Sequence, residues 1–145
     1  MSVGRICVRE VDLAKSGESV HVAAKRMHAR NVGSLVVVNE RQEPIGILTD
    51  RDLAVRVVGA AMDPCVTPVS EVMTQYPVTL PEDTPIESAL AAMREGPCRR
   101  LLVVDKNNKL VGLLSLDDVL DLLSEEFEQI GELLRRESPA RLAQI

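Results

Sequence analysis

Apolar residues recur at i, i+3, i+4 and i+7 over Val20, Ala23, Ala24 and Met27, and again over Ile86, Ala89, Leu90 and Met93. That spacing puts them on one face of a helix. Each helical stretch gives way to two short aliphatic runs: residues 35–39 and 45–49 in the first half, 101–105 and 110–114 in the second. Runs so short and so uniformly apolar predict strands covered on both sheet faces. Polar turns join them at residues 40–44 and 106–109, and Asn107-Asn108 tolerates the left-handed backbone of a tight turn. A further helix is predicted to begin at Thr49 or Ser115. A short extended piece precedes each first helix, at residues 11–14 and 77–80. In the second half Thr84-Pro85-Ile86-Glu87 predicts a capping box with proline at the first helical position.

The two halves are one pattern written twice. Shifted by 66, residues 20–53 align with 86–119 without a gap, and eight of the 34 positions are identical, including Met27/Met93, Gly46/Gly112 and Asp52/Asp118. Two long copies are too few for a solenoid and predict two similar units packed about a pseudo-two-fold axis. The fold class is α/β (α+β), each unit running β-α-β-β-α, with an extended C-terminal helix. The boundaries read as unit 1 over 1–62, a linker over 63–70 carrying Asp63-Pro64 and Thr67-Pro68, unit 2 over 71–126 and a helical extension over 127–145.

The 145 residues are 46% hydrophobic and 27% charged with a net charge of −5, enough to form a core without staples. Tyr76 and Phe127 are the only aromatic residues, so aliphatic side chains and methionine must fill that core. No apolar run approaches the roughly 18–20 residues of a membrane span, and no signal peptide is read at the start. Cys7, Cys65 and Cys98 show no CxxC spacing and suit a reduced, cytoplasmic setting. The acidic balance argues against nucleic acid as a partner.

The repeated segment with chemistry is Gly46-Ile47-Leu48-Thr49-Asp50-Arg51-Asp52 and Gly112-Leu113-Leu114-Ser115-Leu116-Asp117-Asp118, a shared G-h-h-[ST]-x-x-D. A hydroxyl followed three residues later by an acid is a helix N-cap with its reciprocal partner. The same geometry serves a ligand. A helix start offers N–H groups to an anion, the hydroxyl adds a bond to phosphate, and a carboxylate accepts from both hydroxyls of a ribose. Both readings stand on the sequence alone.

The repeat, its order of elements and both motifs resemble a tandem pair of CBS domains, the module named after cystathionine beta-synthase, over residues 3–126. The segments 48–52 and 99–105 are close to familiar forms. The resemblance implies one regulatory module that binds an adenosine-containing ligand (AMP, ADP or ATP) in clefts between its units, requires no other cofactor and forms a homodimer. By motif, Thr49 and Ser115 would touch phosphate, and Asp52 and Asp118 the ribose. Thr79 matches the polar position of the family's first strand, and Gly33, Ser34, Arg99 and Arg100 would line the clefts. Departures are Leu13 where the other copy has Thr79, and Leu102 where many members carry proline. Arg51 beside the acids of the first motif, against Asp117 in the second, predicts that the Thr49 cleft takes a polyphosphate better. Adenine would stack on Tyr76 or sit between aliphatics such as Ile47, Val36 and Val103.

No nucleophile, base and orienter stand together, so catalysis is not expected. His21 and His28 read as surface residues of the first helix, and Lys25, Arg26 and Arg30 as a solvated basic face. Val119, Leu123, Phe127, Ile130 and Leu134 form an apolar stripe on a helix with seven acids and no base between residues 110 and 134. That stripe predicts a contact with a neighbour's helix or a dock for a partner protein, and Ser138-Pro139 is expected to end the helix. The function read here is a ligand-sensing module acting on a partner in trans. The alternative is a constitutive dimeric assembly protein whose caps are only caps.

Overall fold

The computed structural model describes residues 1–96 and 98–137; the expected stop at Ser138-Pro139 lies outside them. A one-turn helix α1 (Val3–Ile6) opens the chain. Unit 1 then runs β1 (Leu13–Ala14), α2 (Val20–Arg30), β2 (Ser34–Val38), β3 (Pro44–Thr49) and α3 (Asp50–Asp52), which continues as a π-helical stretch over Leu53–Val58. After α4 (Val69–Val72) and β4 (Thr74–Gln75), unit 2 runs β5 (Thr79–Pro81), α5 (Ile86–Glu95), β6 (Arg100–Val104), β7 (Leu110–Ser115) and the long α6 (Leu116–Arg136).

The 66-residue shift relates almost every feature. In each unit the first strand pairs parallel with the second and the second antiparallel with the third. Leu13 faces Val36 as Thr79 faces Leu102, and Ser34 faces Thr49 as Arg100 faces Ser115. The register slips at Val37/Val38 and again at Val103/Val104. The turns place Gln42 (φ 64°) and Asn108 (φ 61°) in the left-handed region at equivalent positions.

Two cores follow from this duplication. One gathers Val20, Ala23, Met27, Leu35, Val37 and Leu48; the other gathers Ala89, Met93, Leu101, Val103, Leu114 and Val119. A third cluster, Val36, Val38 and Leu102 backed by Leu13, Ile47, Leu110 and Leu113, fills the space between the two sheets. Val36 and Leu102 are fully buried there, which is why the strands carry apolar residues on both faces.

The leading segments cross over between the units. Val3 and Cys7 complete the second core, while Val69, Val72 and Met73 complete the first. The Val3 and Gly4 N–H groups donate to the Thr84 and Glu82 carbonyls, and the Val69 and Ser70 N–H groups to those of Glu18 and Ser16. Glycine makes the docking possible. A Cβ on Gly46 would meet Met73 Sδ at 2.5 Å, and one on Gly112 would meet Cys7 Sγ and the Val8 carbonyl, both at 2.7 Å. Residues expected to link the units are tied to unit 1, since buried Thr67 accepts at its carbonyl from the Val20 N–H.

This crossing corrects one local expectation. Thr84 does not cap α5. The N-cap is Pro85, without a side-chain bond, and the Ile86 N–H donates to the Met1 carbonyl at 3.1 Å. A distant strand-like segment takes the place a capping box would hold. The basic face of α2 is also more than a solvated face. Arg26 pairs with Glu18 at 2.6 Å and donates to the Leu13 carbonyl, and Arg30 pairs with Asp12 at 2.8 Å. His21 and His28 are exposed.

Candidate functional site

Both G-h-h-[ST]-x-x-D segments end a strand and start a helix, and both form complete capping boxes. Thr49 Oγ1 accepts from the Asp52 N–H at 3.2 Å, and Asp52 Oδ2 accepts from the Thr49 N–H at 2.9 Å. Ser115 Oγ accepts from the Asp118 N–H at 3.2 Å, and Asp118 Oδ2 accepts from the Ser115 N–H at 2.8 Å. One carboxylate oxygen in each box is therefore committed to main chain. An ionised carboxylate has about four acceptor positions, so capping does not exhaust it.

The two boxes differ in what remains. Ser115 Oγ–H also donates to Asp118 Oδ2 at 2.9 Å, which uses its proton. The Thr49 hydroxyl makes no such bond and keeps a donor for another group. Asp52 Oδ1 lies 3.8 Å from Arg56 Nε. The same guanidinium donates to the Val72 carbonyl at 2.9 Å, tying the first cap to the segment that leads into β4. Leu122 stands at the equivalent position of unit 2.

The N–H groups expected to face an anion are largely used within the chain. In α3 the Asp50 N–H donates to the Gly33 carbonyl and the Arg51 N–H to Asp50 Oδ1, while the Asp52 N–H is taken by the cap. In α6 the Leu116 N–H donates to the Arg99 carbonyl. Attraction for an anion must then come from side chains.

Those side chains converge on one side of the molecule. A cleft of about 390 Å³ is lined by Ile47 and Thr49 of unit 1, by Thr74, Tyr76, Pro77 and Val78 of the crossing segment, and by Gly96, Cys98, Arg99 and Arg100 of unit 2. That size suits a small ligand. Thr49, Arg99 and Arg100 thus meet across the unit boundary. Asp52 shares the cap with Thr49 but does not itself line the cleft, and neither does Arg51, which is exposed on α3. Tyr76, with φ 52° and 90% exposed, forms the rim. Cys98 and Val78 escaped the sequence reading. The repeat itself held the signal, because the cleft joins the third strand of one unit to the residues before the second strand of the other.

The related positions on the opposite side have different chemistry. Glu10 and Asp12 stand where Tyr76 and Val78 line the first cleft, and Gly33 and Ser34 stand where Arg99 and Arg100 do. Arg30, at the position of Gly96, is neutralised by Asp12, and a Cβ on Gly33 would come within 3.1 Å of Asp50 Oδ2. Ser115 and Asp118 do not line the cleft that holds Thr49, Arg99 and Arg100. Thr79 lines neither arginine-bearing wall. Paired with Leu102, it faces the space between the sheets. Two aliphatics named as adenine neighbours also drop out: Val36 and Val103 are fully buried, one between the sheets and one in the second core. Ile47 remains, joined by Val78.

A duplicated β-α-β-β-α unit with crossed leading segments defines a paired-domain module, and the CBS domain model matches residues 3–59 and 69–125. The chain belongs to the CBS domain family as a tandem pair. It is 36% identical over 141 residues to protein MK0525 of Methanopyrus kandleri, covering 92% of this chain and 72% of that one. Among solved structures it resembles a putative signal-transduction protein with CBS domains from Burkholderia ambifaria, at 29% identity and TM-score 0.75, covering 85% of this chain and 93% of that one. It also resembles the CBS domain pair of protein MJ0100, solved in complex with 5′-methylthioadenosine and S-adenosyl-L-methionine, at 26% identity and TM-score 0.75, covering 85% and 99%. Among the described residues no helix is long and apolar enough to cross a membrane.

Proposed function

We propose that this CBS pair is a non-catalytic, cytoplasmic sensor. It takes one adenosine nucleotide in the cleft between Thr49 and the Arg99–Arg100 pair and signals to a partner protein in trans. One observation carries the reading: a hydroxyl with a spare donor and two exposed guanidiniums, from different units, face the same 390 Å³ cleft. The likeness to MJ0100, whose structure holds adenosyl compounds, supports an adenosine-type ligand. Arg99 and Arg100 then favour phosphates over an uncharged thioether tail, because guanidinium–phosphate bonds are charge-assisted and bidentate. The order of affinity is ATP and ADP above AMP, and AMP above 5′-methylthioadenosine. Asp52, which shares the cap with Thr49 beside the cleft, is the acceptor assigned to the ribose diol through Oδ1 once that oxygen turns from Arg56; Ile47 and Val78 flank the base, and Tyr76 covers it from the rim. Binding across the boundary shifts the balance between arrangements of the two units, and a partner responds as far as it distinguishes them.

A second reading has its own observation: both acids already satisfy their own main-chain amides, as pure caps would in a constitutive assembly protein. Mass spectrometry of small molecules released from the purified protein, with thermal melts in AMP, ADP, ATP and S-adenosylmethionine, separates the two. Released nucleotide or a melting shift that grows with ligand concentration is expected. No released nucleotide and no shift with any of the four favours the assembly reading.

A further inference from the structure

Among the described residues, those other than glycine that hold a left-handed backbone are Asn31, Gln42, Ala61, Tyr76 and Asn108. Asn31 closes α2, and asparagine visits that region readily. Tyr76, at φ 52°, is the bulky member of the set and the one that precedes a proline. A large side chain is an outlier there, and a following proline pushes the backbone toward extended conformations instead.

The constraint comes from both sides. Gln75 ends β4 and pairs with Gly46 in the first sheet. The Val78 carbonyl accepts from the Leu102 N–H at 3.0 Å in the second. Tyr76 and Pro77 are therefore the whole span between two anchored residues, and the chain must turn within it. Glycine or asparagine would make that turn at lower cost. The counterpart in unit 1, Glu10, is not left-handed. The tyrosine ring adds no packing to its own fold: it is 90% exposed, and no hydrogen bond reaches its hydroxyl among the described residues. It does stand on the cleft that also holds Arg99 and Arg100, and Phe127, the other aromatic residue, does not.

We infer that Tyr76 determines specificity, making the cleft select a nucleoside polyphosphate over a bare polyphosphate at the expense of a strained backbone. The inference rests on the nucleotide reading of the cleft and narrows it. Guanidiniums hold phosphate whether or not a base is attached. Discrimination must come from a group that meets the base, and an aromatic ring stacks on the π-face that a base has and phosphate lacks. That contact is made at the two-residue bridge between the sheets, so the part of binding that distinguishes a nucleotide bears directly on the joint between the units.

Titration calorimetry of the full chain with ATP and with inorganic tripolyphosphate, at one salt concentration, tests this beside thermal melts without ligand. Tyr76→Asn is expected to lower ATP affinity about tenfold and to leave tripolyphosphate affinity within about twofold. Tyr76→Phe keeps the ring and is expected to match the wild type with both. Without ligand, Tyr76→Asn is expected to melt no lower than the wild type, because asparagine accepts the left-handed backbone. Unchanged ATP affinity in Tyr76→Asn, an equal loss of both ligands, or a lower melting temperature would overturn the inference and leave the nucleotide reading standing. A wild type that binds neither ligand would overturn that reading, and the inference with it.

Discussion

Asp52 performs two tasks in the proposed sensor, and one substitution separates them. Asp52→Asn keeps an oxygen for the Thr49 N–H, now accepted at 2.9 Å, so the cap largely survives. It replaces the outward oxygen with an amide donor that cannot accept from a sugar diol and faces the Arg56 guanidinium, at present 3.8 Å from Oδ1. A hydrogen bond to a charged group is worth roughly 1.5–3 kcal/mol. Losing even one weakens nucleotide binding by about tenfold or more, since 1.4 kcal/mol is a factor of ten. Asp52→Ala also loses the half of the box in which Oδ2 accepts from the Thr49 N–H, while Thr49 Oγ1 keeps the backbone N–H of position 52; one hydrogen bond is worth about 1 kcal/mol, or roughly 2–4 °C in melting temperature for a chain of this size. Asp118 is the matched control. Asp118→Ala loses the matching half of its own box, but Ser115 and Asp118 do not line the cleft that Arg99 and Arg100 share with Thr49, so nucleotide affinity should change by less than about twofold. Isothermal titration with ADP at fixed salt reads the affinities, and thermal melts without ligand read the caps. Equal affinity losses at Asp52 and Asp118 would refute the one-sided site. Wild-type affinity in Asp52→Asn would refute the role given to its carboxylate.

Three further outcomes test the framework. Gly112→Ala should destabilise by about 1–3 kcal/mol and more than Gly46→Ala, in urea melts, because its Cβ meets the Val8 carbonyl at 2.7 Å while that of Gly46 meets first the end of a methionine side chain; equal losses would mean that the backbone contact yields. Leu102→Ala, at the fully buried centre of the inter-sheet cluster, should cost about 2–5 kcal/mol, and a loss under 1 kcal/mol would show that the sheets close over the gap. The hydrogen bond from Arg26 holds the Glu18 carboxyl below its ordinary value. Its contribution is therefore complete above the ordinary carboxylate range and disappears as pH falls through the lowered folded value. For a partly exposed pair this is about 1 kcal/mol or less, so Glu18→Gln should trail the wild type at neutral pH and match it at the acid end; a gap that persists in acid would assign the loss to packing.

What the chain discloses in sequence and what it hides follow from range. The helices at Val20 and Ile86, the aliphatic strand pairs and both capping boxes are local, with their periods and partners within a few residues. The crossing of the leading segments depends on contacts such as Val3 with the Ala89 core and Val69 with the Val20 core. Those segments are one turn long, too short to show a period. The same contact overrode a sound local signal at Thr84. On α6 the helical stripe was legible, but the point where it leaves the core was not, because Val119 and Leu120 are equally apolar and only packing buries one and exposes the other. The cleft was legible in parts. Thr49 and Arg99 stand in different units, and only the fold shows that the first motif faces the second unit's arginines.

That division explains how a duplicated module can become one-sided without losing its frame. The positions that pair strands or fill cores stay equivalent across the shift: Leu35 and Leu101, Leu48 and Leu114, Gly46 and Gly112. Divergence collects at the rims, where a side chain faces solvent and a change costs little stability. There Gly33-Ser34 stands against Arg99-Arg100, Glu10 against Tyr76 and Leu122 against Arg56. Arg56 has the further consequence of joining Asp52 to the Val72 carbonyl, at the end of the very segment that crosses toward unit 2 and lines the cleft. A ligand that draws Asp52 Oδ1 to its ribose competes with Arg56 for that oxygen. Occupancy is then felt first in the crossing segment and only through it in the second unit. The second cap has no such guanidinium, so even a ligand held there would lack this route to the other half.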